Sequence, residues 1–367
     1  MKSTIKRIGL ITSGGDCPGL NALIRTVVQS AAQKNIDVIG LPHGIPGLIQ
    51  DHPQALALDA SYASAQMIQR GGSRLGGFIR KIYAPLDALT EQEIAERVVS
   101  SLKVLGIDGL IATGGDGSFA IISGILQHTD VPFVGIPKTI DNDVPGTVYA
   151  LGFQSAVSNA ADALMKVADT AETHQRIIVV ETMGREAGFL PLHAGLAAGA
   201  DAILLPEIPY DANDFITHIR TIYAAQKYAV VVVSESAKLP AGEVSSINTP
   251  DGQARFGGSG EKFAHYIHAC TGINTRHCVL GHIQRGGAPN AFDSVLAASF
   301  GTQAVKSLCV HQKNVFVSWN GYSVDVKDFT SITGQIKRVL PTTLELRAAN
   351  SLGIYCGTTI ESTAQER

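Results

Sequence analysis

Charge is scarce in this chain: Asp, Glu, Lys and Arg make up 17% of its 367 residues, against ~25% in ordinary soluble domains. The charges also nearly cancel, with 29 Lys+Arg facing 32 Asp+Glu for a formal net charge of −3. That balance argues against a general nucleic-acid binder or a binder of anionic membranes. No uninterrupted apolar stretch approaches the ~18–20 residues of a membrane span. The first apolar run stops at Gly14, Gly15 and Asp16, short of the ~7–15 apolar residues of a secretory signal. Cysteines are few and odd in number, at Cys17, Cys270, Cys278, Cys309 and Cys356, with no CxxC spacing. They read as reduced thiols of a cytoplasmic protein, and a structural zinc site is not expected.

What is present is apolar material and glycine. Hydrophobic residues reach 45% and there are 38 glycines, so disorder is excluded as a description of the whole chain. The length suits two or three domains, or one large body. Short Val/Ile/Leu runs at 6–12, 107–113, 131–137, 176–183, 202–206, 228–234 and 276–281 alternate with helical stretches. This pattern predicts an α/β fold with a parallel sheet covered on both faces. Residues 236–260 are rich in Gly, Ser and Pro without apolar period, and read as a long loop, either a surface insertion or functional.

Two turns share the letters GGD, Ser13-Gly14-Gly15-Asp16 and Thr113-Gly114-Gly115-Asp116-Gly117-Ser118. Each follows an apolar strand and precedes a helix, where backbone amides and the positive helix end suit a phosphate. A tight turn without a ligand is the alternative. Neither turn completes GxxxxGK[ST] or GxGxxG, so the standard nucleotide fingerprints are unsupported. An acid such as Asp116 beside phosphates needs a cation between them, and magnesium is suited to carboxylate, phosphate and water oxygens. The other reading of Asp116 is a helix N-cap. A third strand runs into Pro137-Lys138-Thr139-Ile140-Asp141-Asn142-Asp143. If that segment is extended, Asp141 and Asp143 point the same way, and one can meet a metal while the other accepts a hydroxyl proton. A polar turn capping a helix is the competing account.

Arg185, His282 and Arg285 fall at the carboxyl ends of predicted strands, and Glu235 ends another. Arginine forks match phosphate oxygens, whereas a lone His is more often a hydrogen-bonding residue than a base. Arg176 and Arg276 open their strands instead. They should face the other way, toward a surface salt bridge or a neighbouring subunit.

With these residues in view, the chain resembles the phosphofructokinase family over roughly residues 5–310. The resemblance rests on LITSGGDCPGLNALIR, GGSRLG, ATGGDGS, PKTIDND, HQRIIVVETMGR and VLGHIQRGG, in that order. It implies phosphoryl transfer from ATP-Mg²⁺ to the 1-hydroxyl of fructose 6-phosphate, with Asp141 as base and Thr139 and Arg185 in the catalytic centre. Donor contacts would be Gly15, Arg80, Gly115, Asp116, Gly117, Ser118 and Lys138, with magnesium at Asp116 and Asp143. Sugar-phosphate contacts would be Thr139, Asp141, Arg176, Met183, Gly184, Arg185, Glu235, Arg276, His282 and Arg285. The family further implies two Rossmann-like three-layer domains with mainly parallel sheets and the active site in the cleft between them. The larger, donor-binding domain would be 1–152 plus about 284–340, and 153–283 plus the C-terminal segment would bind the sugar phosphate. It also implies a cytoplasmic homotetramer, with Arg176 and Arg276 reaching a neighbour's site. In this family Gly117 points to ATP, while Lys138 is shared with pyrophosphate users. The effector pocket keeps Arg25 but has Gln29, Ala168, Ala224, Gln226 and Tyr228 where basic partners are usual, so effector control is expected to be weak or altered. A pyrophosphate-dependent enzyme, a non-catalytic sugar-phosphate-binding subunit and a nicotinamide-dependent dehydrogenase are the competing readings.

Overall fold

The computed structural model describes residues 5–77, 88–126, 128–248, 254–332 and 334–357. The chain divides into two units, one of Met1–Ile140, Val144–Ser155 and Arg285–Ile336, the other of Asp141–Asp143, Ala156–Gln284 and Lys337–Arg367. In chain order the first strands are β1 (Arg7–Thr12), β2 (Asp37–Leu41), β3 (Leu56–Ala57), β4 (Gly109–Gly114) and β5 (Phe133–Pro137). Then come β6 (Ile177–Thr182), β7 (Ala202–Leu204), β8 (Ala229–Ser234), β9 (Ser246–Asn248) and β10 (Ala254–Phe256). The last are β11 (Thr275–Val279), β12 (Val315–Trp319) and β13 (Val324–Asp328).

The first unit holds a sheet of order β13-β12-β5-β4-β1-β2-β3, parallel in its central five strands and antiparallel at the two outer pairs. Every residue of β4 and β5 is buried, as expected for strands covered on both faces. Alternation sorts their side chains into two layers. Ile8, Leu10, Ile111, Val134 and Ile136 pack with Leu23, Val27, Phe300 and Leu308 from helices Leu20–Ala32 and Ala291–Cys309. Ile11, Leu110, Ala112 and Phe133 pack on the other face with Val98, Leu102, Phe119 and Ile122. Since β2 and β4 flank β1 on opposite sides, the strand order reverses between β1 and β4. Such a switch point is where open α/β sheets bind ligands.

The second unit carries a four-stranded sheet, β11-β6-β8-β7, wholly parallel. Ile177, Val179, Val231 and Val233 pack against Phe215, Ile219, Phe263 and Ile267 of the helices Ala212–Gln226 and Ser259–Thr271. Residues 236–260, expected as an unstructured loop, contain a short antiparallel ladder, β9 with β10, and the start of a helix. Three-residue strands carry too little alternation to be read as a period. Among the described residues no helix is long and apolar enough to cross a membrane.

One buried acid fixes the start of the long helix Phe153–Thr173. Asp293 is fully buried and accepts hydrogen bonds from the amides of Gly152 (2.9 Å) and Ser155 (2.7 Å) and from the Ser155 hydroxyl (2.6 Å). It satisfies donors that a helix N-terminus otherwise leaves orphaned. Asp293→Ala strands those groups away from water. A loss of about 3 kcal/mol is expected, each unsatisfied buried donor costing ~1–3 kcal/mol, read as a lower Tm in thermal unfolding.

Candidate active site

Three loops of the first unit begin at the same level of neighbouring strands. Thr12 of β1 pairs with Thr113 of β4, and Gly114 of β4 pairs with Pro137 of β5. The amide of Ser13 donates to Thr113 O (3.2 Å) and that of Lys138 to Gly114 O (2.9 Å). Both GGD turns and the PKTIDND loop therefore start from one edge, which is the arrangement their positions after strands predict. Gly14 adopts φ 76°, and a Cβ there would lie 3.2 Å from Ser118 Oγ and 3.3 Å from Lys138 Nζ. The first turn thus closes on residues from the other two, and glycine is what permits it. Lys138 is 3% exposed and its ammonium donates to the Gly15 carbonyl. Gly115 lies against the third loop, a Cβ there coming 3.9 Å from Thr139 Cβ, whereas a Cβ on Gly117 would meet nothing within 4 Å. Asp116 opens the helix Asp116–Leu126.

Arg285 is placed on the first turn: Nη1 donates to Asp16 O (3.0 Å), and a Cβ on Gly15 would come within 2.9 Å of it. The resemblance implies a sugar-phosphate contact for this arginine, and its guanidinium leaves the helical turn Gly281–Arg285 to reach the first GGD turn. Arg80 lies outside the described residues.

In the second unit the acids and Arg185 meet. Asp141 is 4% exposed, and its Oδ2 stands 3.9 Å from Nε of the exposed Arg185. Arg185 is a non-glycine residue at φ 49°, an uncommon conformation. It is held on both sides: its amide donates to Glu235 Oε1 (3.0 Å), and its carbonyl accepts from the Ser236 hydroxyl. Residues 182 and 234 are register partners on β6 and β8, so Arg185 and Glu235 leave the sheet side by side. Burial pushes the Glu235 carboxyl up to about 7, helped by the charges of Asp141 and Glu181 and opposed by the amides of Arg185 and Gly184. Asp143 is buried, with the Lys337 ammonium as a neighbouring opposite charge.

Met183 and Gly184 continue from β6 into the same turn, and His282 is exposed after β11. Arg176 immediately precedes β6, and Arg276 pairs with Ile178 near the start of β11. Both sit a full strand length from Arg185, as their sequence positions indicate.

Two contributors escaped the sequence reading. Glu181 is a buried acid inside apolar β6, and it accepts from Gly258 N (3.3 Å), Ser259 Oγ (3.2 Å) and Gly260 N (2.8 Å). It thereby anchors the start of the helix Ser259–Thr271. A carboxylate in an otherwise apolar strand was the available signal. Ser236 carried none.

Glycine-rich turns leaving one edge of a parallel sheet at its switch point, in the first unit, and a buried acid facing an arginine, in the second, are the features of an α/β protein suited to phosphate groups. The family model described as phosphofructokinase matches residues 7–308, and the chain belongs to that family. It is 38% identical over 358 residues to the ATP-dependent 6-phosphofructokinase 1 of Nostoc sp., covering 97% of this chain and 99% of that one. It is also 38% identical over 341 residues to the pyrophosphate–fructose 6-phosphate 1-phosphotransferase of Dictyoglomus thermophilum, covering 91% and 95%. In fold it is similar to the crystal structure of a pyrophosphate-dependent phosphofructokinase from Marinobacter aquaeolei, with a TM-score of 0.78 at 22% identity, covering 97% and 93% of the two chains.

The state of Glu235 is testable through stability. Its folded pKa of about 7 lies above the ordinary value of 4.5. Between those values the folded protein holds a proton that the unfolded chain releases, so stability falls as pH rises through this window and levels off above it. Tm measured from about pH 5 to about pH 8 should show that decline in the wild type and a shallower one in Glu235→Gln. Equal slopes in the two proteins contradict the assignment.

Proposed function

We propose that this chain transfers the terminal phosphoryl group of ATP to the 1-hydroxyl of fructose 6-phosphate, giving fructose 1,6-bisphosphate, the committed step of glycolysis, in the cytoplasm. The observation that carries the reading is Asp141, buried and within 3.9 Å of the Arg185 guanidinium. The carboxylate is the proton acceptor of this reading, and the guanidinium is the counter-charge beside it.

In this reading Asp141 accepts the proton of the 1-hydroxyl as its oxygen bonds to phosphorus and the bond to the leaving diphosphate breaks. Thr139 orients the hydroxyl and Arg185 balances the charge of the moving phosphoryl group. Gly15, Gly115, Gly117 and Ser118 present main-chain amides and a hydroxyl to the donor phosphates, with Lys138 as a cation and Arg80, outside the described residues, as the further donor contact that the resemblance implies; Arg285 contacts the sugar phosphate. Glu235, Met183, Gly184 and His282 contact the sugar phosphate. Arg176 and Arg276, at the far strand ends, reach the 6-phosphate of a neighbouring subunit, which makes the enzyme a homo-oligomer, most simply a tetramer. Magnesium suits the oxygen donors here, since it takes one or two carboxylates with phosphate and water oxygens, and Asp116 and Asp143 are the acids that would hold it. Bound there, it would neutralise charge on the transferring phosphates.

ATP is favoured as donor because space at Gly117 is open. Lys138, moreover, spends one of its three ammonium donors on the Gly15 carbonyl. Pyrophosphate use is the second reading, favoured by the buried cation itself. A coupled assay of fructose 6-phosphate phosphorylation with ATP and with pyrophosphate, each with and without magnesium, separates the two. ATP with magnesium is expected to support turnover. Turnover with pyrophosphate alone establishes the second reading, and turnover with neither refutes both. Asp141→Asn should lower kcat by ~10²–10⁴-fold, the usual worth of a general base, with sugar-phosphate binding retained in calorimetric titration. Near-normal turnover in the variant removes Asp141 from that role.

A further inference from the structure

The segment 337–345 lies beyond the family match, which ends at residue 308, yet it touches both loops of the acid-bearing half of the site. The Lys337 amide donates to the carbonyl of Asp143 (2.7 Å). The Lys337 ammonium lies in the fields of the Asp143 and Glu345 carboxylates and 5.0 Å from the centroid of the Phe189 ring. One residue on, Arg338 pairs with Glu186 at 2.7 Å. The amide of Val339 donates to Glu207 Oε1 (3.0 Å), and the same oxygen accepts from the amide of Gly188 (2.9 Å). Glu345 in turn stands 3.7 Å from His193 Nε2.

We propose that residues 337–345 form a positioning strap, with Lys337 fixing the segment that carries Asp141 and Glu207 tying the turn after Arg185 to the strap. This rests on the functional reading given above. The chemistry of the contacts supports it. Lys337 holds the Asp143 end of that segment twice, through its backbone and through its charge. Asp141 is two residues away, and a displacement of ~1 Å at a reacting group costs on the order of 10²-fold in rate. Glu207 behaves as a bridge because one oxygen accepts from two chain segments that sequence separates widely. It holds Gly188, three residues past Arg185, and so the turn that also carries Met183 and Gly184. Neither residue touches the reacting atoms; both act through the loops they hold.

The two arms of the strap predict different kinetic signatures. Lys337→Met, which keeps the length of the side chain and removes the charge, should lower kcat by about tenfold or more with a smaller change in KM for fructose 6-phosphate. Lys337→Arg should restore most of the kcat. Glu207→Ala should chiefly raise that KM, because it releases the turn holding the sugar phosphate. It should also speed hydrogen exchange at the amides of Gly188 and Val339, which lose their acceptor. Tm, recorded for each variant, separates these effects from simple unfolding. Wild-type kcat in Lys337→Met, equal impairment of the methionine and arginine variants, or parallel losses of kcat and KM that track Tm would overturn the strap. Unchanged exchange at Gly188 and Val339 in Glu207→Ala would overturn it as well. A wild-type enzyme inactive on fructose 6-phosphate sinks the functional reading instead, and the exchange measurement then still decides the strap, because it requires no turnover.

Discussion

The site depends first on main-chain pairing. Parallel strands in register end together, and β1, β4 and β5 are locked by a ladder that runs to Thr12, Thr113 and Pro137. Whatever follows each strand is delivered to one edge without further instruction. Glycine can then bring the turns close enough to interlock: Gly14 accommodates Ser118 and Lys138, and Gly15 accommodates Arg285. The loops need little energy of their own, because the sheet beneath them is buried on both faces and supplies the rigidity.

In the second unit the corresponding constraint is electrostatic. Asp141, Glu181 and Glu235 end up near one another with Arg185 among them. Like charges in a partly dry site cannot all ionise at ordinary cost, and the structure divides the roles. Arg185 faces Asp141, and the amides of a helix start satisfy Glu181. Glu235 receives the Arg185 amide, which offsets only part of the burial. The acid proposed as base thus has a guanidinium beside it, while burial holds the acid proposed to contact the sugar above the ordinary carboxylate range.

Most of this framework is legible in the sequence. All seven strands expected from apolar runs are present, because buried parallel strands are continuous Val/Ile/Leu runs bounded by glycine and polar turns. Strands β2, β3, β9, β10, β12 and β13 are missing from that reading, and β3, β9 and β10 are only two or three residues long. β2 and β12 mix glycine, serine or tryptophan into short runs, and β13, with exposed residues, alternates acids with valine. The edges from which the candidate loops leave were legible because position after a strand dictates that location. The contact of Arg285 with the first GGD turn was not legible: it closes the helical turn Gly281–Arg285 after β11, and sequence spacing does not say which way that turn aims a long side chain. Glu207 and Lys337 gave no signal, since their contacts join segments more than a hundred residues apart.

The low charge content acquires a physical meaning in this light. Lys138, Asp141, Asp143, Glu181 and Asp293 are each 6% exposed or less, although charged side chains are rarely buried unless paired. Each has a stated partner: a carbonyl, a guanidinium, an ammonium or a set of amides. A buried pair contributes little net stability, but breaking it by removing one member is costly. Such pairs hold geometry more than they add stability, and the chain places them where strands end and loops must not drift. Few as its charges are, this chain buries these five where strands end and helices begin, the points on which the placing of its loops depends.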